Sequence, residues 1–270
     1  MTTLTDKQQE IRRVRFPAST GPGLLGYSPY ASPSQTWEVH MGLRPFKGNK
    51  NTEGGHDFEE AIAAAARHEM GSFWERRERP RILKSSLDLS DDTLIDPFHD
   101  WLCATPDFIF REDGAAIQVK NHEPHMRHTY RGIPGAEGPW DNNLVPVAYL
   151  LQCQFEMIVL AGFTGTPQLC VYLVSHFGGR SPRVYRIRRD ERMQATMLLN
   201  AWNFWRLRID PNGPMEPPDD STWRMRPAEK ARPLPKLTGK ELLSAPLPDA
   251  PRQPASELAG DLFKLPEATR

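Results

Sequence analysis

The sequence predicts an α/β (α+β) domain, a mixed central sheet flanked by helices, with a proline-rich tail behind it. Three observations carry that expectation. Two short apolar runs flank Asp113-Gly114, the turn chemistry of a hairpin. Apolar residues recur at helical spacing over 57–71, 146–160 and 190–209, and β-rich runs at 168–175 and 183–188 separate the last two. Proline crowds the end of the chain: of 26 in 270 residues, twelve fall in 211–270. That segment, with its P-x-x-P-M-E-P-P and A-P-L-P-D-A-P-R-Q-P runs, has too little apolar surface to offset its ordering entropy. The expected division is a folded domain over 1–213 and a disordered tail over 214–270.

Residues 15–36, rich in Gly, Pro and Ser, read as loop and short turns. A helix is expected over 57–71, where Phe58, Ile62, Ala66 and Met70 step by four along one face. Asp57 and Glu60 stand at capping-box spacing at its start. The hairpin arms follow at 107–110 and 116–120. A second helix starts near Pro146, runs to about Leu160 and stops at Gly162. The strand at 168–175 turns at Gly178-Gly179 into the strand at 183–188. Asp190 opens the last helix, which carries Leu198, Trp202 and Trp205 to about Ile209. In the tail, 256–265 keeps Leu258, Leu262, Phe263 and Leu265, enough for one amphipathic turn on a partner.

Composition removes several classes of function. Lys plus Arg and Asp plus Glu are 34 each, so the formal charge is zero. That excludes a protein that coats nucleic acid through bulk charge and permits a local basic groove. Three cysteines (Cys103, Cys153, Cys170) without a C-x-x-C exclude a disulfide framework, a Cys-rich zinc site and a four-Cys iron–sulfur cluster. The polar, basic start lacks the apolar stretch of a secretory signal. The most apolar segment, 145–163, is broken by Gln152, Gln154 and Glu156, short of the ~18 apolar residues of a membrane span. The expected setting is a reducing compartment, the cytoplasm, with no membrane partner.

Strand periodicity locates the chemistry. In Ile117-Gln118-Val119-Lys120 the side chains alternate, so Gln118 and Lys120 share one face. The hairpin returns that face to the neighbourhood of Asp107. Magnesium takes oxygen ligands from one or two carboxylates and leaves its other positions to water and substrate phosphate. A lysine beside such a site orients water and stabilises charge on phosphorus. Together these are the parts of a metal-dependent phosphodiester hydrolase.

These residues also carry a resemblance. A-T-P-D at 104–107 with Q-V-K at 118–120 is similar to the P-D…(D/E)-x-K core of restriction-endonuclease-like nucleases. Flanking segments narrow it to the YqaJ-type, lambda-exonuclease-like viral recombinase nucleases. Leu25-Gly-Tyr-Ser-Pro-Tyr30 resembles the family's L-G-x-S-x-Y, and Trp37 to Gly42 its W-x-x-x-x-G. Gly55-His-Asp-Phe-Glu59 resembles its G-x-x-x-E helix, and Tyr149-Leu-Leu-Gln-Cys-Gln154, with Met157 and Gly162, its Y-x-x-Q-x-Q helix. Arg189-Asp190-Glu191 and Phe204-Trp205 resemble the R-D-E and F-W of its closing helix. The resemblance covers about residues 12–215.

The resemblance implies a nuclease core fold and a double-stranded DNA exonuclease, running 5′ to 3′ and leaving 3′ single-stranded overhangs for phage-type recombination. It implies magnesium, replaceable by manganese, held by Asp107, Gln118, the Val119 carbonyl and Glu59. Lys120 would position water on the scissile phosphate. Gln152 and Gln154 would order the site or the DNA, and Arg12 and Ser19 would hold a 5′-phosphate, with Arg13 and Arg15 competing for that role. DNA ends, a single-strand annealing protein and a homotrimeric ring are the implied partners, in a host cytoplasm. A catalytically attenuated DNA-binding relative and a structure-specific endonuclease stay open as alternatives.

One departure stands out: the family's Glu is Gln118 here. A neutral amide removes one carboxylate from the site and weakens attraction to a dication. Glu59, Glu60 and Glu156 are the carboxylates available to compensate. Elsewhere, His122, His125 and His128 lie in a loop interrupted by Pro124, better suited to touching DNA with Arg127 and Arg131 than to holding zinc. Two basic sets, Arg76-Arg77-Glu78-Arg79-Pro80-Arg81 and Arg183, Arg186, Arg188, Arg189 and Arg192, are candidates for following the phosphate backbone.

Overall fold

A computed structural model describes residues 6–45, 61–66, 82–84, 93–110, 115–122, 133–134, 136–137, 144–165, 167–178 and 182–224. In chain order the elements are α1 (Asp6–Arg13), β1 (Phe16–Pro17), α2 (Gly21–Leu24), α3 (Pro33–His40) and a helical segment α4 (61–66). Then come β2 (Ile82–Lys84), β3 (Leu94–Ile95), β4 (Leu102–Ala104), β5 (Phe108–Phe110) and β6 (Ala116–Asn121). After β7 (Ile133–Pro134), β8 (Ala136–Glu137) and β9 (Leu144–Val145) the long helix α5 (Val147–Thr164) begins. The fold closes with β10 (Cys170–His176), β11 (Arg183–Arg188) and α6 (Glu191–Arg208).

The main sheet has six strands in the order β2-β5-β6-β10-β11-β8. β6 and β10 run parallel and every other pair is antiparallel, so the mixed sheet expected from sequence is present. A parallel pair cannot be joined by a tight turn, and the chain between its strands carries α5. A smaller sheet, β1-β4-β3, and the pair β7-β9 lie outside it.

Alternation splits the core in two. Ile117, Val119, Tyr172, Val174 and Val184 pack with Ile62, Ala63 and Ala66 of α4. Ala116, Leu173, Tyr185 and Ile187 point the other way, into a larger cluster with Leu150, Leu151, Phe155 and Val159 of α5. Burying each such side chain contributes roughly 1.5–3 kcal/mol, so α5 is anchored along most of its length. Gln118 stands opposite Leu173, and Leu173 opposite Tyr185, in one row across the sheet. Gln118 and Lys120 therefore lie on the α5 face. α5 is the one described helix long and apolar enough to cross a membrane, and most of it is buried inside the fold.

Three local expectations change. The 15–36 loop holds α2 and leads directly into α3, whose N-terminus is a capping box: Ser32 accepts from the Gln35 amide, the Gln35 side chain accepts from the Ser32 amide, and Pro33 occupies the first turn. Helix α5 does not stop at Gly162 but continues to Thr164, and Gly165 at φ +67° ends it. Gly162 instead marks a close approach, because a Cβ there would collide with Asp96 Oδ1 and stand 3.0 Å from Pro97 Cδ. The chain beyond residue 213 stays on the domain as far as Arg224. Asp220 accepts from the Ser34 amide and hydroxyl, both at 2.9 Å, and Trp223 Nε1 donates to the Ser28 carbonyl at 2.8 Å. The other expected elements that fall on described residues lie close to where the pattern put them, and 256–265 lies outside them. Of the expected helix over 57–71 the described part is 61–66, and the Asp113-Gly114 turn lies outside the described residues.

Candidate active site

β5 ends its pairing with β6 at Phe108 opposite Ile117. Beyond that point the edge of β6 is open to the residue before β5, which is Asp107. Its Oδ2 accepts from the Val119 amide at 2.7 Å and from the Gln118 side-chain Nε2. Amide and carbonyl of a strand residue point to the same edge, so the Val119 carbonyl is also directed to the Asp107 side. Lys120, two residues beyond Gln118 on the same face, places Nζ 5.4 Å from the centre of the Tyr149 ring.

Helix α5 lays a polar stripe over this face. Tyr149, Gln152 and Glu156 are spaced i, i+3, i+7 and so share one side of the helix. Gln152 and Glu156 are buried, and Gln152 Nε2 donates to Glu156 Oε1 at 2.8 Å. Burial first, and the charge of Asp107 second, push the Glu156 carboxyl up to about 8, against the Gln152 hydrogen bond and the Lys120 charge. The same surroundings hold the Cys153 thiol far above its usual value, burial again leading. Three buried oxygens here lack any partner: Gln118 Oε1, Glu156 Oε2 and Ser175 Oγ, the last opposite Lys120 in the β6–β10 register. Native interiors rarely leave such atoms unmatched.

A second cluster adjoins the first through the chain itself. Arg12 Nη2 donates to Ser19 Oγ at 2.8 Å and Nη1 to Thr105 Oγ1 at 3.3 Å. The two residues paired by sequence spacing are thus in contact, and Thr105, which the sequence reading did not single out, ties them to the segment that carries Asp107. Burial lowers the Arg12 guanidinium's pKa. Burial, with Arg12 adding to it, drives His40 down to about 4. The result is a cation flanked by two hydroxyls, a donor set suited to an anion.

The remaining candidates sort themselves by contact. Gln154 is 1% exposed, and its amide is engaged by the Arg188 carbonyl, the Asp190 amide and the Gln194 side chain. It joins α5 to the start of α6. His122 stacks on Phe177 at 5.1 Å and is pushed down to about 4 by burial, then by Lys120 and His176. Arg186 and Arg188 are exposed on the α4 face of the sheet, opposite Gln118. Glu59, Glu60, His125, His128 and the basic run at 76–81 lie outside the described residues.

A mixed sheet with Asp107 at the start of β5 and Gln118 and Lys120 on β6, beneath the long helix α5, makes an α/β core. Solved structures share it. The alkaline exonuclease LHK-Exo of Laribacter hongkongensis superposes with a TM-score of 0.51 at 17% identity, over 74% of this chain and 90% of that one. The same enzyme in complex with dAMP gives 0.51 at 16%, over 73% and 90%. At that identity the likeness shows the fold, which this chain shares with that alkaline exonuclease. No family model matches the chain, and no curated protein does.

That fold implies a divalent metal, and the residues can be tested for it. Among the described residues no group of three or more His, Cys, Asp and Glu side chains gathers. The available donors are the Asp107 carboxylate, the Val119 carbonyl and the unpartnered oxygens of Gln118 and Glu156. All are oxygens, as a hard divalent cation requires. Gln118 turns its Nε2 to Asp107; half a turn of the terminal amide would put Oε1 in the same place.

Proposed function

We propose that the protein is a metal-dependent exonuclease of double-stranded DNA that digests from a 5′ end and leaves 3′ overhangs for phage-type recombination. The observation that carries the reading is Asp107, whose carboxylate is fixed by Gln118 and Val119 at the edge of a sheet face that also bears Lys120. A magnesium ion, with manganese able to replace it, supplies positive charge to the scissile phosphate when bound. Asp107, the Gln118 amide oxygen and the Val119 carbonyl would hold it, with Glu59 as an outer carboxylate.

Lys120 orients the attacking water and stabilises charge that builds on the phosphate oxygens. Water adds to phosphorus, the P–O3′ bond breaks, and its electron pair leaves on O3′, which gains a proton. Each cut therefore presents a new 5′-phosphate. Arg12, Ser19 and Thr105 are grouped to receive that dianion, and Gln152 positions Glu156 behind the site. LHK-Exo was solved with dAMP, a nucleoside 5′-monophosphate of the kind such a cut releases. An annealing protein, a ring of three copies and a host cytoplasm belong to the same reading.

The amide at position 118 favours one second reading: an attenuated nuclease fold that binds DNA ends or a recombination partner. One assay separates them. Linear duplexes with 5′-phosphate, linear duplexes with 5′-hydroxyl and closed circles are incubated with magnesium. Digestion of phosphorylated ends, slower digestion of hydroxyl ends and intact circles are expected, and Arg12→Ala should erase the phosphate preference. Binding without digestion would establish the attenuated form, and nicked circles an endonuclease.

A further inference from the structure

We infer that Glu156, on α5, supplies the second carboxylate of this metal site, providing the charge that position 118 lacks. The inference rests on the metal-centre reading above and adds a ligand from a different element of the fold. Glu156 is 1% exposed in the core helix of the domain. Gln152 partners one of its oxygens; the other, Oε2, has neither a protein partner nor solvent. A carboxylate is among the most costly groups to bury unmatched. Among the described residues Glu156 makes no ion pair with Lys120, whose ammonium lies over the Tyr149 ring. Among the described residues no cation therefore neutralises it by contact.

The neighbouring orphan points to the same ligand. Gln118 Oε1 is also buried and unpartnered, on the β6 face that α5 covers. Two buried oxygens facing one layer, neither with a protein partner, are the kind of ligands a hard cation takes. Beside the outer carboxylate proposed at Glu59, Asp107 brings one negative charge to the inner site. Adding Glu156 supplies the one charge that Gln118 lacks relative to Glu. Charge at a dication scales affinity more strongly than ligand identity does. The amide on the strand and the carboxylate on the helix are then two halves of one exchange.

The test measures metal binding directly, by calorimetry with Mn²⁺ and Mg²⁺ on the full chain, with Mn²⁺ also read by its loss of free-ion paramagnetic signal. Glu156→Gln keeps the Gln152 acceptor and the side-chain volume, and circular dichroism and melting verify its fold. Expected are one saturable site in the natural protein, none in Asp107→Asn, and affinity at least about tenfold weaker in Glu156→Gln. Gln118→Glu combined with Glu156→Gln should recover most of that loss. Glu156→Gln binding like the natural protein, while Asp107→Asn fails, would overturn the inference and leave the metal centre standing. A double variant no better than Glu156→Gln would overturn it too. Absence of any site in the natural protein, or binding untouched by Asp107→Asn, would remove the metal-centre reading and the inference together.

Discussion

Gln152 and Glu156, one helical turn apart on α5, are joined by a 2.8 Å hydrogen bond in which the amide donates to Oε1. The bond fixes the plane of a buried carboxylate before any ligand arrives, which is what a positioning residue does for a metal ligand. It also explains a glutamine on an otherwise apolar stretch: its amide serves a neighbour on its own helix. The Asp107 bonds to Val119 and Gln118 do the same from the sheet side.

Asp107→Ala and Lys120→Ala should each abolish magnesium-dependent digestion, a loss on the order of 10³-fold or more. Their effects on folding should differ. Asp107 accepts two hydrogen bonds, so its removal leaves the Val119 amide unmatched and costs about 1–3 kcal/mol. Lys120 is partly exposed and contacts an aromatic face, so Lys120→Ala should melt within a few degrees of the natural protein. Single-turnover digestion and thermal melts check both. A fully active Lys120→Ala protein would take that residue out of the mechanism.

Stability should fall on both sides of a pH near 6–7. Glu156 titrates at about 8 in the folded chain, above the ordinary carboxyl value of 4.5, so the native state keeps a proton that the unfolded chain has lost. Its stabilising contribution is complete below 4.5 and is lost as pH rises through 8. His40 and His122 are depressed to about 4 from 6.5, so theirs is present above 6.5 and lost as pH falls through 4. In metal-free protein, Glu156→Gln should flatten the alkaline limb and leave the acid limb unchanged. The limb amounts to several kcal/mol. Melting temperatures from pH 4 to 9 in chelator measure it, and an unchanged alkaline limb in the variant would show that Glu156 is ionised without metal.

A chain ending after Arg224 should melt like the full protein, whereas one ending at Asn212 should be less stable by about 2–4 kcal/mol. The shorter chain loses the Asp220 contacts to Ser34, which is adjacent to the α3 cap, and the Trp223 and Arg224 bonds to Ser28 and Gly26. Equal melting temperatures for the two truncations would show that these contacts add nothing. Proline density alone could not locate this edge. It describes chain that cannot build its own core, and the end of 214–224 instead packs against Gly26, Ser28 and the start of α3.

The site was legible where local pattern and chemistry coincide. Alternation over 117–120 was enough to put Gln118 and Lys120 on one face, because a strand has a period of two whatever surrounds it. Asp107 followed from the hairpin. Helix α3 was missed even though Ser32, Pro33 and Gln35 spell its start, because Gly and Pro around them read as loop. Gln154 and Gln152 look alike in sequence; only tertiary partners distinguish a link to α6 from a group holding Glu156. Arg12 and Ser19 are close in sequence, but Thr105 joins them only because the fold brings it to Arg12 from 93 residues away, which no local rule contains.

Gly162 offers a test of packing in which two effects oppose each other. It sits inside α5, where replacing glycine by alanine ordinarily gains about 1 kcal/mol. Here the new methyl would strike Asp96 Oδ1 and crowd Pro97. Asp96 cannot yield freely: it is 1% exposed, its Oδ1 accepts from the Phe98 amide at 2.9 Å, and Oδ2 lies 2.8 Å from His99 Nδ1. Moving it breaks buried polar contacts, and overpacking of a well-filled interior typically costs 1–3 kcal/mol before those bonds are counted. The steric loss should therefore exceed the helical gain, leaving Gly162→Ala less stable by about 1–3 kcal/mol. Denaturant unfolding measures it. A variant as stable as the natural protein, or more so, would mean that the Asp96 turn gives way easily and that glycine at 162 is not required by the packing of α5.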